Sequence, residues 1–238
     1  MAANSESWPG ADQRHSPSWS STWIVRSALA RWLQAQAEEL CPRSPLRVLD
    51  VGCGLKPYYP FFAAVASEYI GVDVVENPQA DLVGAVESLP VDDGSFDLVL
   101  CTQVLEHADD PARAVSELHR VTAPGGRVLA STHGVQWYHP SPNDYWRWTH
   151  TGLARLLEDN GEWSSVEVVP GAGTASSVGL VVGLYVDQVA QRLHAIWLGQ
   201  AVNWTVNALA GWLDRRAPSL RDPRPGSLTV NFHVTAVR

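Results

Sequence analysis

Residues Arg47 to Lys56 read R-V-L-D-V-G-C-G-L-K, and a second acidic residue, Asp73, closes the next apolar run at Tyr69-Ile-Gly-Val-Asp. Val48, Leu49 and Val51 predict a short buried strand, and Gly52 and Gly54 then allow a sharp turn with no Cβ between the backbone and a ligand. A nucleotide-like ligand suits such a turn. The dinucleotide fingerprint G-x-G-x-x-G needs a third glycine at position 57, where the chain has Pro57, and it brings a pyrophosphate to a helix start. Here Asp50 precedes the turn. Its carboxylate would repel a pyrophosphate and suits a cationic ligand.

S-adenosylmethionine meets that description, with a sulfonium, an ammonium and no phosphate. Asp73 falls where the second strand of such a fold ends, placed to accept hydrogen bonds from both ribose hydroxyls. Further along, the chain reads Leu89-Pro-Val-Asp-Asp-Gly-Ser-Phe-Asp-Leu-Val99, then Val104-Leu-Glu-His107, Glu117-Leu-His-Arg-Val121 and Pro124-Gly-Gly-Arg-Val128. From roughly residue 46 to 161 this ordered set resembles the class I S-adenosylmethionine-dependent methyltransferases, type 11-like. The resemblance implies a cofactor site in which Gly52, Cys53 and Gly54 pass close to the methionine part. Asp50 would meet the ammonium directly or through water, and Asp73 and Val74 would lie along the ribose. Where the family commonly places a carboxylate for the adenine amine, this chain has Ala85. The backbone of Val86 and the side chain of Glu87 are the replacements considered, with an exposed Glu87 as the alternative. Cys101 and Thr102 end the fourth strand beside the expected sulfonium position, contacting the cofactor through their carbonyls.

Composition narrows the rest. At 238 residues the chain is long enough for one well-buried α/β domain plus a modest insertion. The net charge of −8 argues against a nucleic-acid partner, which needs a clustered basic surface; the one basic group, Arg215, Arg216, Arg221 and Arg224, reads as a solvated face or a contact for an anionic surface. Cys41, Cys53 and Cys101 have neither metal nor redox spacing, so no metal is expected and the thiols read as reduced and structural. The polar N-terminal stretch does not read as a signal peptide, and a cytoplasmic location is expected. Of 11 tryptophans, Trp137, Trp146, Trp148, Trp197, Trp204 and Trp212 all follow the fifth strand, which points to an apolar substrate region or to core and interface packing.

Strands are predicted over 47–51, 69–73, 81–84, 97–101, 127–131, 164–169 and 228–237, and helices near 58–66, 111–122 and 151–160. The implied architecture is an α/β, Rossmann-like doubly wound seven-stranded sheet, mostly parallel with an antiparallel last strand, plus a helical insertion between strands six and seven. Its expected divisions are 1–45, an N-terminal arm and cap helix; 46–171, the cofactor-binding core; 172–226, the insertion; and 227–238, the final strand. Residues 1 to about 18 read as mobile or a lid. Ser20 or Ser21 would cap the first helix, which by resemblance covers the cofactor. In the insertion, Val189, Leu193, Ile196 and Trp197 form one apolar set, and Val202, Val206, Leu209 and Leu213 another. No run reaches the roughly 18 uncharged apolar residues of a membrane span. A hairpin packed on the domain, a homodimer contact and a peripheral membrane contact through 172–213 all remain open.

Acceptor groups are expected after the fifth strand, where the chain reads Ser131-Thr-His-Gly-Val-Gln-Trp-Tyr-His-Pro-Ser-Pro-Asn-Asp-Tyr-Trp-Arg-Trp-Thr149. This resembles the H-P-x-P-x-D-Y-W-R-W-T loop of a subset of these methyltransferases. His133, His139 and Asp144 are the catalytic candidates, the histidines because imidazole titrates near neutral pH and an oxygen nucleophile must lose its proton. Tyr145, Trp146 and Arg147 are the substrate-binding candidates, although an Asp144–Arg147 pair would equally brace the loop. His107 ranks below them, as a structural partner. The function implied is methyl transfer to a small-molecule or lipid- or glycan-linked acceptor, at oxygen, in a biosynthetic pathway. A catalytically degenerate cofactor-binding subunit and a nicotinamide oxidoreductase are the rivals, and Pro57 disfavours the latter.

Overall fold

The structure, a computed structural model, describes residues 8–140, 143–217 and 222–238. Seven strands form one sheet: β1 Leu46–Val51, β2 Ala66–Asp73, β3 Leu82–Val83, β4 Phe96–Thr102, β5 Thr122–His133, β6 Ser165–Pro170 and β7 Asn231–Val237, in the order β3-β2-β1-β4-β5-β7-β6. Parallel pairing joins β3 to β2, β2 to β1, β1 to β4 and β4 to β5. β7 runs antiparallel between β5 and β6. The order reverses between β1 and β4, and such a switch point opens a crevice at the carboxyl ends of the strands. The expected sheet is therefore the observed one.

The helices are α1 Ala11–Arg14, α2 Trp23–Leu40, α3 Tyr59–Phe62, α4 Pro111–Val121, α5 His150–Asp159, α6 Thr174–Arg192 and α7 Ile196–Arg216. Alternate residues of the central strands point to opposite faces, which gives two cores. Val48, Leu98, Leu100 and Leu129 pack with Leu29, Leu33 and Leu40 of α2 and with Phe62. Leu49, Val51, Val99 and Cys101 pack on the other face with Leu118 of α4 and with Leu153 and Leu157 of α5. α2 is thus a layer of the core over its second half, more than a cap. Asp110 caps α4 by accepting from Arg113 N at 3.1 Å, and Thr149 caps α5 by accepting from Gly152 N at 3.1 Å, each satisfying an otherwise orphaned N–H.

Several sequence expectations change. The helix over 58–66 contracts to Tyr59–Phe62, because Ala66 already pairs with Leu46 as the first residue of β2. The serine cap of the first helix is absent: α2 starts after Thr22, with no side-chain cap bond, and Ser20 instead shares its hydroxyl with Thr22. The described part of the N-terminal arm is docked. Trp8 Nε1 donates to Lys56 O at 2.8 Å, and the buried Arg14 donates to the carbonyls of Trp8, Pro9 and Pro57. Residues 1–7 and Arg221 lie outside the described residues, as do Ser141 and Pro142 of the loop motif. In α7 the buried stripe is Gly199, Asn203, Asn207, Ala210 and Asp214, while Leu193, Ile196, Trp197, Val202, Leu209 and Leu213 of the two apolar sets are exposed. Among the described residues, no helix is long and apolar enough to cross a membrane.

The turn after β1 depends on its glycines to different degrees. Gly52 has φ +64°, and a Cβ there would sit 2.3 Å from Val104 Cγ2; Gly54 has φ +48° with open space around it. A left-handed residue carrying a Cβ costs about 1–2 kcal/mol, and overpacking a stiff neighbour costs about 1–3 kcal/mol more. Gly52→Ala is expected to destabilise the protein by about 3 kcal/mol and Gly54→Ala by about 1 kcal/mol in urea unfolding. Equal losses would show that the Val104 contact relaxes freely.

Candidate functional site

β1 and β2 end side by side, and their ends are tied by one carboxylate. Asp73 Oδ2 accepts from Gly54 N at 2.8 Å and Oδ1 accepts from Val75 N at 3.0 Å. A carboxylate has about four acceptor positions, so lone pairs remain on both oxygens. Beside it lies a cavity of about 140 Å³ lined by Val51, Gly52, Asp73 and Val74 on one side, by Gly84 to Glu87 on another, and by Val104, His107, Ala108, Asp109 and Asn143. Glu87 has a second task, since its Oε1 accepts from Asp109 N at 2.8 Å. An adenosine fits this chemistry. The turn is bare of side chains, the acceptor stands where a ribose would lie, and Val86 and Ala108 supply apolar surface.

Four cofactor-side candidates do not line that cavity. Asp50 is buried and accepts the Tyr69 hydroxyl at 2.8 Å; burial pushes its carboxyl up to about 7. It anchors β1 to β2 beneath the turn. Cys53 is buried against Gly71, whose added Cβ would lie 2.7 Å from the Cys53 sulfur, and Cys101 is fully buried. Burial pushes the Cys53 thiol up to about 12 and raises the Cys101 thiol still further from reactivity. Gly54 contributes its N–H to Asp73. Lys56, unremarked in the sequence, is buried and pairs with Asp81 at 2.5 Å, while Asp81 also accepts from Gly71 N.

A second cavity, of about 330 Å³, shares His107 with the first. α2 forms one wall with Thr22, Val25, Arg26 and Leu29, and Tyr58 adjoins it; opposite stand Gln103, Glu106, His133, Gln136, Trp137 and His139. Its floor is polar. Glu106 is fully buried, accepts from Thr132 Oγ1 at 2.8 Å, and places Oε1 3.1 Å from His133 Nε2. That Oε1 and His133 Nδ1 are buried without an aligned hydrogen-bond partner. Burial pushes the Glu106 carboxyl up to about 7 and the His133 imidazole down to about 3, so each group is biased toward its neutral form.

The loop after β5 is stitched over this floor. Glu106 O accepts from Tyr145 N at 3.0 Å and Trp146 N at 3.2 Å, Trp148 N donates to His133 O at 3.0 Å, and His107 Nδ1 meets Asn143 O at 2.5 Å. Asp144 takes both Arg147 NH groups at 2.5 and 2.7 Å and His139 N at 2.6 Å. The Arg147 guanidinium, with that backbone bond, holds the Asp144 carboxyl well below the usual range. Asp144 therefore braces the loop rather than accepting a proton. Arg147 extends the brace to the carbonyls of Trp137 and Trp146. Tyr145, Trp146 and Arg147 do not line the cavity; Gln136, Trp137 and His139 do. Trp146 stacks on Trp148 at 5.6 Å and donates to Ala108 O. His133 and His139 are brought together with His107, whose ring lies 6.4 and 6.2 Å from theirs.

Comparison with known proteins is consistent with this geometry. A family model described as a methyltransferase domain matches residues 23–161. A ubiquinone biosynthesis O-methyltransferase of Thiobacillus denitrificans is 32% identical over 117 residues, covering 43% of this chain and 49% of the relative; the chain thus spans about half the length of that relative. An uncharacterized methyltransferase of Mycobacterium sp. (strain JLS) is 32% identical over 188 residues, covering 69% and 70%. Among solved structures, the Burkholderia thailandensis 1,6-didemethyltoxoflavin-N1-methyltransferase with bound 1,6-didemethyltoxoflavin and S-adenosylhomocysteine matches with a TM-score of 0.53, 18% identity, and coverage of 89% of this chain and 78% of that one. At that identity the likeness is one of fold.

The buried acid yields a pH signature. A carboxyl whose folded value lies near 7 keeps its proton where the unfolded chain has lost it, so its stabilising contribution is complete below about 4.5 and is lost as pH rises through 7. Glu106→Gln removes that dependence. Relative to the variant, the wild type is expected to lose up to about 3 kcal/mol between pH 4.5 and 7.5 at 1.36 kcal/mol per pKa unit, read from urea midpoints. Parallel curves would show Glu106 ionised at its ordinary value.

Proposed function

The chain belongs to the methyltransferase domain family, and from that premise we propose that it is an S-adenosylmethionine-dependent methyltransferase acting at an oxygen of a small-molecule or lipid- or glycan-linked acceptor. The observation that carries the reading is the pair of cavities meeting at His107. One has the ribose acceptor and bare turn that an adenosine needs, and the other has a buried imidazole that an acceptor hydroxyl needs. Oxygen is favoured by that imidazole, because a phenol or alcohol must shed a proton as it attacks. The ubiquinone relative is an O-methyltransferase by name. A reducing, cytoplasmic setting suits the three free thiols Cys41, Cys53 and Cys101.

S-adenosylmethionine supplies the methyl group on a sulfonium, a good leaving group. The chain's part is to bind, align and exclude water, which is worth about 7–11 kcal/mol when the reacting atoms are held near attack geometry. In this reading Asp73 receives the ribose hydroxyls on its remaining lone pairs, and Val86 and Ala108 flank the base. α2, Tyr58 and Trp137 enclose the acceptor. His133, held neutral by burial, would take the acceptor's proton at a ring nitrogen, and Glu106, which ionises only as pH rises through about 7, would offset the resulting imidazolium in its ionised form. Glu106 is then a positioning residue and His133 the base. His139, exposed at the rim, is the second candidate, and Asp144 with Arg147 holds the rim in place.

Two measurements test the reading. Calorimetry is expected to show micromolar binding of S-adenosylhomocysteine and none of nicotinamide dinucleotides, with Asp73→Ala weakening it at least tenfold, about 1.4 kcal/mol. Because Asp73 also ties Gly54 and Val75, Asp73→Asn serves as the variant that keeps part of this bonding. Tight dinucleotide binding without heat from S-adenosylhomocysteine would sink the assignment. Turnover is read with labelled S-adenosylmethionine against phenols, quinols and lipid-linked sugars. His133→Ala should cut it about a hundredfold, in the range of general-base loss, while leaving S-adenosylhomocysteine affinity unchanged. Undiminished turnover would move the base to His139.

A further inference from the structure

The hairpin of α6 and α7 has its polarity reversed. A surface helix normally buries its apolar stripe. Here, apart from the fully buried Leu180, the buried stripe is small and polar: Ser176, Ser177, Gly179, Gly183 and Ala190 on α6, with Gly199, Asn203, Asn207, Ala210 and Asp214 on α7. Most of its polar groups bond a neighbour, although Asn203 Oδ1 is buried without a partner. Asp214 accepts from Ala175 N and Ser176 N at the start of α6, Asn207 Nδ2 donates to Ser18 O and Ser20 O, and Asn203 Nδ2 donates to Asp187 at 2.7 Å. The outer face is apolar and aromatic instead. Tyr185, Leu193 and Trp197 are 68, 70 and 74% exposed, and Trp204, Leu209 and Trp212 are 56, 56 and 47% exposed. So many exposed large apolar side chains on one helical hairpin point to an interaction surface.

Charge selects the occupant. The exposed formal charges of the hairpin are Arg192, Arg215 and Arg216, all cationic, whereas Asp187 is half-buried and Asp214 is buried. The chain as a whole carries −8. An anionic surface would be repelled by the rest of the molecule and met here by arginines flanking aromatics. Pairing of this face with a second copy would set those arginines against a face that exposes no acid to receive them. Neither helix is long and apolar enough to cross a bilayer, while tryptophan and arginine are the side chains that settle at its headgroup layer. We propose that the α6–α7 hairpin seats this protein on an anionic lipid surface, with Trp197, Trp204 and Trp212 at the headgroup level. The hairpin packs through Gly179 and Gly183 on Ile24 and Ser21, next to the Thr22 and Val25 wall of the larger cavity. An acceptor dissolved in the bilayer would thus be presented close to that cavity. This last step rests on the methyl-transfer reading; the seating does not.

The test is co-sedimentation of the purified chain with vesicles of phosphatidylcholine containing about one quarter phosphatidylglycerol, an anionic content that gives a surface potential, alongside vesicles of phosphatidylcholine alone. At low salt the mixed vesicles are expected to bind at least about tenfold better, a preference that fades as salt screens the charges. Trp197→Ser with Trp204→Ser, and separately Arg192→Gln with Arg215→Gln and Arg216→Gln, should each lower binding at least about tenfold. Both variants should melt normally and keep S-adenosylhomocysteine affinity, since these five residues are exposed and none lines the cofactor-side cavity. Absence of vesicle binding overturns the proposal, and so does binding that both variants retain. A wild-type dimer that the tryptophan variant converts to monomer, without vesicle binding, overturns it in favour of a second copy. Vesicle binding by a wild type that takes up no S-adenosylhomocysteine would support the seating and refute the proposed chemistry.

Discussion

Two parallel strands end side by side at β1 and β2, and the Asp73 carboxylate bridges their ends through Gly54 N and Val75 N. It holds the bare turn open, and it leaves Gly52 so close to Val104 that no side chain fits between them. Beneath the turn, Asp50 and the Tyr69 hydroxyl join the same strands again, and Lys56 crosses to Asp81. Three acidic residues therefore fix the geometry around one short loop, and each is held differently: Asp73 by two backbone N–H groups, Asp81 by Gly71 N and the Lys56 ammonium, and Asp50 by the Tyr69 hydroxyl.

The larger cavity follows another rule. Its polar residues are held by backbone bonds from a loop that does not itself supply the floor. Glu106 O and His133 O both accept from that loop, and Arg147 with Asp144 keeps the loop in shape. Buried polar atoms without an aligned partner are costly to maintain, and Glu106 Oε1 and His133 Nδ1, on residues that line this cavity, are two such atoms. The arrangement stores unsatisfied bonding capacity where a ligand can use it.

The sheet was legible because apolar runs of strand length alternate with turn residues, and because Gly52, Gly54 and Asp73 stand in order. What escaped was whatever depends on register and facing. Nothing local tells that Asp50 shares a face with Tyr69 on the next strand, so an anchor reads like a ligand. Nothing local separates Asp144 as a brace from Asp144 as a base, since the deciding partner is Arg147 and the fork between them. In the hairpin the spacing of leucines and tryptophans was read correctly as helical, but period alone cannot say which face turns inward. The signal was present in the complementary set, Asn203, Asn207 and Asp214, which recurs at the same period and carries groups that can bond a neighbouring backbone.

β7 lies between β5 and β6 in the sheet, yet in the chain it comes after α5, β6 and the whole hairpin. Until β7 is made, one edge of β5 has no partner and β6 has nothing to pair with. Arg238, just past β7, adds to this closure by donating to the carbonyls of Arg120 in α4 and Thr122 at the start of β5. Contacts of such separation form slowly because the intervening chain must first be brought round. During synthesis, the segment up to β5 would emerge with an open strand edge, a template for pairing with another nascent chain. The position of β7 thus keeps that edge of β5 open until the chain has passed β6 and the whole hairpin.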